Sequence, residues 1–428
     1  MKKKRAIRNY VLTSIFVVLV FVLSFISFPV PGTNYNFMGL GNLHLGLELG
    51  GGVKNTYDLE IADWYEGTEE DAYRETVDRI QKLLDKDYAD AKAYVNADKK
   101  ITIEVPDTVI SDNYIIGFLE MKAEEGEDAE AKVTGQDIEK IEYMLSGTTH
   151  GVYIEFTDEG KEKFAALTKA VSEADGQTMY IYMNKDYENA FSQPQVTEEN
   201  TMGYTFISGA GITSKATGKT YADRIAGALV GVNMTTDTEV TEIVSENGKA
   251  TRVMMTVVTI AMVVAAVVIA FVLFKELGLV SSLSLLFALA VSVIFSAMFD
   301  LQVTIAGWLG FVLGFVLNYA LHIYYLNVIK GEFAKGKKFL VSFTAGYRRA
   351  LFNTLDTLLL TTGAALLLII VPSNLVRMFV FNFLMTIPGT AFTSMFLNKV
   401  FAVNYTAFNL KDYKKVNFTK EATTDENK

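Results

Sequence analysis

Residues 254–274 read MMTVVTIAMVVAAVVIAFVLF, a run without a single charge. As a helix rising about 1.5 Å per residue it is long enough to cross the apolar core of a bilayer. What precedes it is opposite in character. Residues 29–252 hold 41 acidic and 20 basic side chains, a net of −21, whereas the rest of the chain holds 8 and 19, a net of +11. The overall −10 of the 428 residues therefore hides an acidic region embedded in a basic, apolar remainder. Half the residues are hydrophobic, which excludes a disordered chain, and the charge split excludes a nucleic-acid binder built on a basic domain.

Working outward, five further apolar runs appear. One, residues 10–28, follows a basic start, MKKKRAIR. Its end, SFISFPVPG, lacks a small-x-small cleavage pattern, so the run reads as an uncleaved anchor. The others lie near 278–298, 302–329, 350–371 and 376–402. The loop before the fifth span, with Lys330, Lys335, Lys337, Lys338, Arg348 and Arg349, is basic. By the positive-inside rule that loop, the N-terminus (1–9) and the tail (406–428, with Lys411, Lys414 and Lys415) are cytoplasmic, and residues 29–252 lie outside the cell membrane. The expected plan is one helix (10–28), a large outer loop, and five helices within 253–405.

The outer region alternates charged helical stretches such as Glu69 to Ala93 with short β-rich runs: Ile101 to Val105, Val152 to Phe156, Met179 to Met183 and Tyr204 to Ser208. That is an α+β pattern joined to an all-α six-helix membrane domain. The stretch MKAEEGEDAEAK, 121–132, reads as a solvated acidic loop.

Cysteine is absent, so no disulfide or thiolate metal site can form, and three histidines do not suggest a metal centre. There is no phosphate loop, HExxH or GxSxG, and neither a cofactor nor an enzyme is expected. Ionisable residues inside spans are costly and functional by default. His322 and Asp356 each lie about seven residues inside a span, roughly 10 Å deep, on consecutive antiparallel helices. Asn318, His322 and Tyr325 share a helical face, and Asn353, Thr357 and Thr361 form a second polar stripe beside Asp356. The pair is either a proton site or a static interhelical hydrogen bond, or else Asp356 rises to the headgroups. Gly307, Gly310 and Gly314 allow close helix packing. His44 and His150 stand apart from these groups, and the glycines 50–52 imply a special backbone turn.

Leu45 to Val53, LGLELGGGV, resembles the LGLDLxGG motif that follows the first helix in the SecD/SecF family, with Glu48 in the usual Asp position and Gly50, Gly51 and Gly52 at its end. Val133 to Asp137 is similar to VTGxDL, Val152 to Thr168 to a strand-and-helix segment, Ser192 to Val196 to SAPxV, and Ile207 to Gly209 to ISG. Arg224 to Ala228, Glu276 to Leu279, Gly346 to Ala350, Thr361 and Thr362, and Phe392 to Phe396 continue the resemblance in order. It departs where the family has an Asp in the fourth helix: Asn318 stands there and does not titrate.

The resemblance implies an RND-like, six-span accessory subunit of the bacterial Sec export machinery. It would bind emerging preprotein outside and use the proton-motive force. Its partners would be a SecF-like subunit, the SecYEG channel and the lipid bilayer, with no nucleic acid. An RND-type exporter of lipids or small molecules, and a non-motor scaffold, are the other readings. The proton-coupling candidates are Asp356, His322 and Asn318.

Overall fold

The structure is a computed structural model that describes residues 3–29, 36–37, 39–40, 43–209, 211–235, 240–245, 247–299, 301–371, 373–408 and 416–418. Lys411, Lys414 and Lys415 lie outside the described residues. The chain divides into two compact units, one of residues 1–51 with 245–428, the other of residues 52–244. In chain order the elements are α1 (Lys3–Leu23), β1 (Phe28–Pro29), β2 (Asn36–Phe37), α2 (Leu47–Gly50), β3 (Gly52–Ile61), α3 (Glu69–Asp87), β4 (Lys92–Val95), β5 (Ile101–Val105), β6 (Leu119–Lys122), β7 (Ala131–Thr134), β8 (Ile138–Ser146), β9 (Thr149–Phe156), α4 (Asp158–Glu173), β10 (Tyr180–Met183), β11 (Tyr204–Ser208), α5 (Lys215–Ile225), β12 (Val232–Thr235), β13 (Thr241–Ile243), α6 (Gly248–Phe274), α7 (Glu276–Ser281), α8 (Leu283–Met298), α9 (Ile305–Ala334), α10 (Phe339–Leu368), α11 (Asn374–Phe392) and α12 (Asn398–Phe408).

The central unit bears out the α+β expectation and builds two hydrophobic cores. In the first, the sheet β12-β3-β5-β4, with β13 also on β3, is covered by α3. Helix α3 starts at a capping box, Thr68 with Asp71, which satisfies two of its orphan amides. It buries Ala72, Thr76, Ile80 and Leu84 at every fourth position, one face of a helical wheel. In the second core, α4 and α5 pack beside two three-stranded sheets, β10-β6-β7 and β11-β9-β8. Two glycines of this core sit where a side chain would not fit. A Cβ on Gly160 would stand 1.9 Å from the Asp137 carbonyl, and one on Gly135 would stand 2.3 Å from the Ala228 carbonyl. Asp137 itself caps its turn through Thr134 and holds Lys163 at 2.8 Å. Its carboxylate, with Glu159, raises the Lys163 pKa.

The acidic stretch at 121–132 is not wholly solvated. Its ends are strands of the β6–β7 hairpin, and Met121 and Lys122 are buried. Lys122 Nζ lies 3.2 Å from Glu120 and 4.2 Å from the centre of the Tyr187 ring. Burial and Glu120 together push the Tyr187 hydroxyl up to about 12.

Among the described residues the other unit carries six helices long and apolar enough to cross a membrane: Lys3–Leu23, Gly248–Phe274, Glu276–Met298, Ile305–Ala334, Phe339–Leu368 and Asn374–Ala407. Helix α10 begins at Phe339, eleven residues before the apolar run that marks it in the sequence, so Arg348 and Arg349 sit on the helix rather than in a loop. The three glycines of α9 meet α11 directly. A Cβ on Gly310 would lie 2.1 Å from the Phe379 carbonyl, and one on Gly314 would lie 2.0 Å from Thr386 Oγ1. Backbone contact this close is what small residues at a helix interface permit.

Candidate functional site

A buried polar seam runs through the helical unit where α9 faces the last span. It starts at Asn318, 2% exposed, whose Oδ1 accepts from Thr393 Oγ1 at 3.0 Å. The Asn318 amide nitrogen has no partner among the described residues. It borders a cavity of about 10 Å³ shared with Ser292, Gly314, Thr386 and Thr390. One turn on, His322 is 1% exposed. Its Nδ1 stands 3.0 Å from Asn398 Oδ1 and its Nε2 stands 3.2 Å from Ser281 Oγ. Asn398 Oδ1 also accepts from Ser284 Oγ at 2.7 Å, and Ser281 Oγ donates to the Leu277 carbonyl at 2.7 Å.

Local backbone geometry brings these partners in. Residues Thr393–Leu397 form a π-helical turn closed by the Asn398 amide donating to the Thr393 carbonyl. An i to i+5 bond stacks Thr393 over Asn398, so both side chains reach α9, where Asn318 and His322 are one α-turn apart.

Of the residues that the sequence singled out, the structure brings Asn318, His322 and Tyr325 to one buried face. It does not bring Asp356 to His322. The buried positions of α10 are Ser342, Phe343, Gly346, Ala350, Thr354, Leu358 and Ala365, which face inward. Asp356 lies about 200° around the helix from Thr354 and from Leu358, so it points away. It is exposed and has no hydrogen-bond or ion-pair partner among the described residues. In the second stripe, Asn353 Nδ2 donates to Tyr324 Oη at 2.6 Å. Thr357 and Thr361 donate back to carbonyls of their own helix at 2.8 Å, and Thr362 is half-buried. Ser281, Ser284 and Asn398 escaped the sequence reading, and Thr393 entered it only within the stretch Phe392 to Phe396. Their signal was a set of short polar side chains, SSLS and LNK, inside apolar spans.

The motif after the first helix is a fastening. Gly46 N donates to the Val303 carbonyl at 3.0 Å, and Val303 N donates to the His44 carbonyl at 2.7 Å. Leu47 and Leu49 are buried, whereas Glu48 is exposed and its carbonyl accepts from Ser245. Gly51 has φ +79° and ψ −159°, a conformation that only glycine adopts freely. Gly50 and Gly52 have no such requirement.

The central unit contains a groove of about 660 Å³. Phe191, Val196, Met202, Phe206, Ile212 and Tyr221 line it, together with the segments 192–196 and 206–208. Strand β11 is the edge of its sheet. Gly203 pairs with Phe156 through a backbone hydrogen bond. The antiparallel alternation from that pair turns the amides of Phe206 and Ser208 away from β9. His150 is partnered by the Tyr143 hydroxyl at 2.7 Å. Among the described residues no group of three His, Cys, Asp or Glu side chains is placed to hold a metal ion.

No family model matches the chain. The protein translocase subunit SecD of Dictyoglomus turgidum is 23% identical to it over 367 residues, which are 84% of this chain and 88% of that protein. Two crystal structures share the fold at 19% identity. SecDF in a super-membrane-facing form gives a TM-score of 0.65 over 94% of this chain and 58% of its own. SecDF of Thermus thermophilus, described as a translocon-associated membrane protein, gives 0.55 over 93% and 59%. This chain thus spans a little under three fifths of the SecDF chains that it matches.

Proposed function

We propose that this chain, which is of the SecD/SecDF type, is an accessory subunit of the Sec protein-export machinery that holds emerging preprotein on its central unit. The groove beside β11 carries this reading. An open strand edge offers main-chain hydrogen bonds to any extended chain, whatever its sequence, and apolar walls take alternate side chains. Two stretches that resemble the family, Ser192 to Val196 and Ile207 to Gly209, border or adjoin that groove. The central unit would lie outside the membrane, with both termini cytoplasmic, a reading that the basic N-terminus and the basic residues at 330–338 support.

Coupling to the proton gradient would run through His322. Among the side chains of the buried seam it is the one that can gain and lose a proton. Both of its neighbours can accept: Asn398 Oδ1, and Ser281 Oγ while it donates to Leu277. A second proton on the ring would therefore find an acceptor without rearrangement. Asn318 would serve as a fixed polar neighbour where the family has a carboxylate. A non-motor scaffold is the second reading, and Asn318 favours it, because a carboxamide does not take up or release a proton near neutral pH.

The test is site-specific photocrosslinking of a stalled secreted reporter in cells. Probes at Val196 and Phe206 should capture the reporter, and a probe at the exposed Tyr94, which does not line the groove, should not. Equal yields from all three positions would remove the groove from the mechanism.

A further inference from the structure

We propose that Val416, Asn417 and Phe418 form a releasable strap that closes the helical unit at the end where α9 meets α10, and that its release opens the way from that end to His322. This goes beyond the Sec reading and does not depend on it. The orientation proposed above makes that end cytoplasmic.

The strap follows the last helix in sequence, yet it is seated like core. Val416 and Phe418 are each 1% exposed. The Phe418 ring lies 5.7 Å from that of Phe333, 5.9 Å from Phe339 and 6.2 Å from Phe343, centre to centre. It therefore meets both the end of α9 and the start of α10. Between the two apolar residues, Asn417 Nδ2 donates to the Leu273 carbonyl at 3.1 Å. That carbonyl is one of those that the end of α6 leaves without a helical partner. Asn417 has φ +58°, a left-handed conformation that asparagine tolerates better than most residues. Three residues of tail thus hold three spans together.

Between the strap and His322 stands a dry column of α9 side chains. Phe333, Ile329, Leu326 and Tyr325 are all buried, in one core with Phe274, Phe343, Val416 and Phe418. Phe333 is eleven residues from His322, roughly 16 Å along the helix, so the column fills the path from the strap to the imidazole. Three observations point to a second, open state. Lys275, the single residue between α6 and α7, has φ +49° and ψ −129°, a costly conformation for a residue with a side chain. It follows the gripped carbonyl of Leu273 by two residues, so the strain sits at the joint that the strap holds. The Tyr325 hydroxyl is buried and has no partner among the described residues, a penalty that entering water would relieve. The grip itself is small, two apolar side chains and one hydrogen bond, and a contact of that size opens locally without unfolding the spans.

The experiment uses the full chain purified in detergent. It has no cysteine, so an introduced thiol reports without background. Ile329→Cys should react slowly with a water-soluble maleimide. Adding Phe418→Ser should speed that reaction by roughly 100-fold, and the milder Val416→Ala by roughly tenfold, in proportion to the undocked fraction. Val380→Cys, buried on α11 in a separate apolar cluster, should stay slow in every background. Leu273→Cys and Asn417→Cys should be joined within one chain by a short bis-maleimide, read by mass spectrometry, and Phe418→Ser should lower that yield. If neither tail variant changes the Ile329→Cys rate, the tail is no seal and the proposal fails. If Val380→Cys accelerates to the same degree, the tail is an integral part of the bundle rather than a releasable strap, and the proposal fails again. No crosslink between 273 and 417 in the chain with an unaltered Phe418 would unseat the tail altogether.

Discussion

His322→Gln separates a proton carrier from a structural hydrogen bond. A glutamine amide can stand where Nε2 stands and keep the bond to Ser281 Oγ, now 3.2 Å long. It gives up the Nδ1 bond to Asn398, but Asn398 Oδ1 still accepts from Ser284 Oγ at 2.7 Å, so no acceptor is orphaned. The expected loss is one interhelical hydrogen bond, about 0.6 kcal/mol and at most about 1.7. His322→Leu loses both, roughly 1–3 kcal/mol. Stability measured by thermal unfolding in detergent should therefore rank wild type, Gln, Leu. Function should not follow that ranking. Neither variant titrates, so both should lose gradient-driven export to the same degree, although Gln folds nearly as well as the wild type. The assay is export of a secreted reporter with and without an uncoupler, in a strain lacking the native copy. Asn318→Asp keeps the acceptor for Thr393 and restores a titratable group one turn away, so it should fold and rescue His322→Gln. A Gln variant that exports at the wild-type rate, with unchanged uncoupler sensitivity and pH profile, would refute the reasoning. Insensitivity to the uncoupler in the wild type itself would favour the scaffold.

Gly310→Ala places a methyl 2.1 Å from the Phe379 carbonyl and should cost about 1–3 kcal/mol, read as a lower unfolding midpoint. Gly331→Ala meets nothing within 4 Å on the same helix and should stabilise it by roughly 0.5–1 kcal/mol. Gly51→Ala must adopt φ +79° and should cost about 1–3 kcal/mol, whereas Gly50→Ala needs only a small shift of Leu45; refolding yields of the two variants decide. Protease added to intact spheroplasts should cut within 52–244 and spare the α9–α10 connection at 335–338; cleavage of the reverse pattern would invert the orientation.

The spans were legible because an unbroken apolar run has few other uses. Their ends were not. Helix α10 extends back through SFTAGYRRALFNT, where polarity no longer reports on the membrane and helix length follows packing against α9. The inward face of α10 carries Gly346, Ala350, Thr354 and Leu358, a spacing that leaves Asp356 on the outer side, and so the expected meeting of Asp356 with His322 failed. In the central unit, α3, β5, β10 and β11 showed plainly, but β3, at the centre of its sheet, did not stand out. Its alternation of Val53, Asn55 and Tyr57 inward puts a polar side chain at a buried position. The groove was beyond reach of any local pattern, since its walls come from positions 164 to 225 and meet only in the folded unit.

The π-turn in the last span shows why the seam could not be read from spacing alone. On a regular α-helix Thr393 and Asn398, five residues apart, would point about 140° away from each other. One could reach α9 only if the other faced elsewhere. The π-turn closes an i to i+5 bond and so stacks them. Asn318 and His322 are then each met by one polar side chain of the same helix, across a distance that α9 covers in a single turn. A helix gives up ideal hydrogen-bond geometry in such a turn. The return here is that Asn318 Oδ1 and His322 Nδ1 each gain a partner at once, and a buried polar atom without one in an apolar interior is the larger penalty. The same turn leaves Phe396 exposed and Ser394 buried without a partner among the described residues. The π-turn thus lies beside the buried imidazole of His322, which Asn398 contacts.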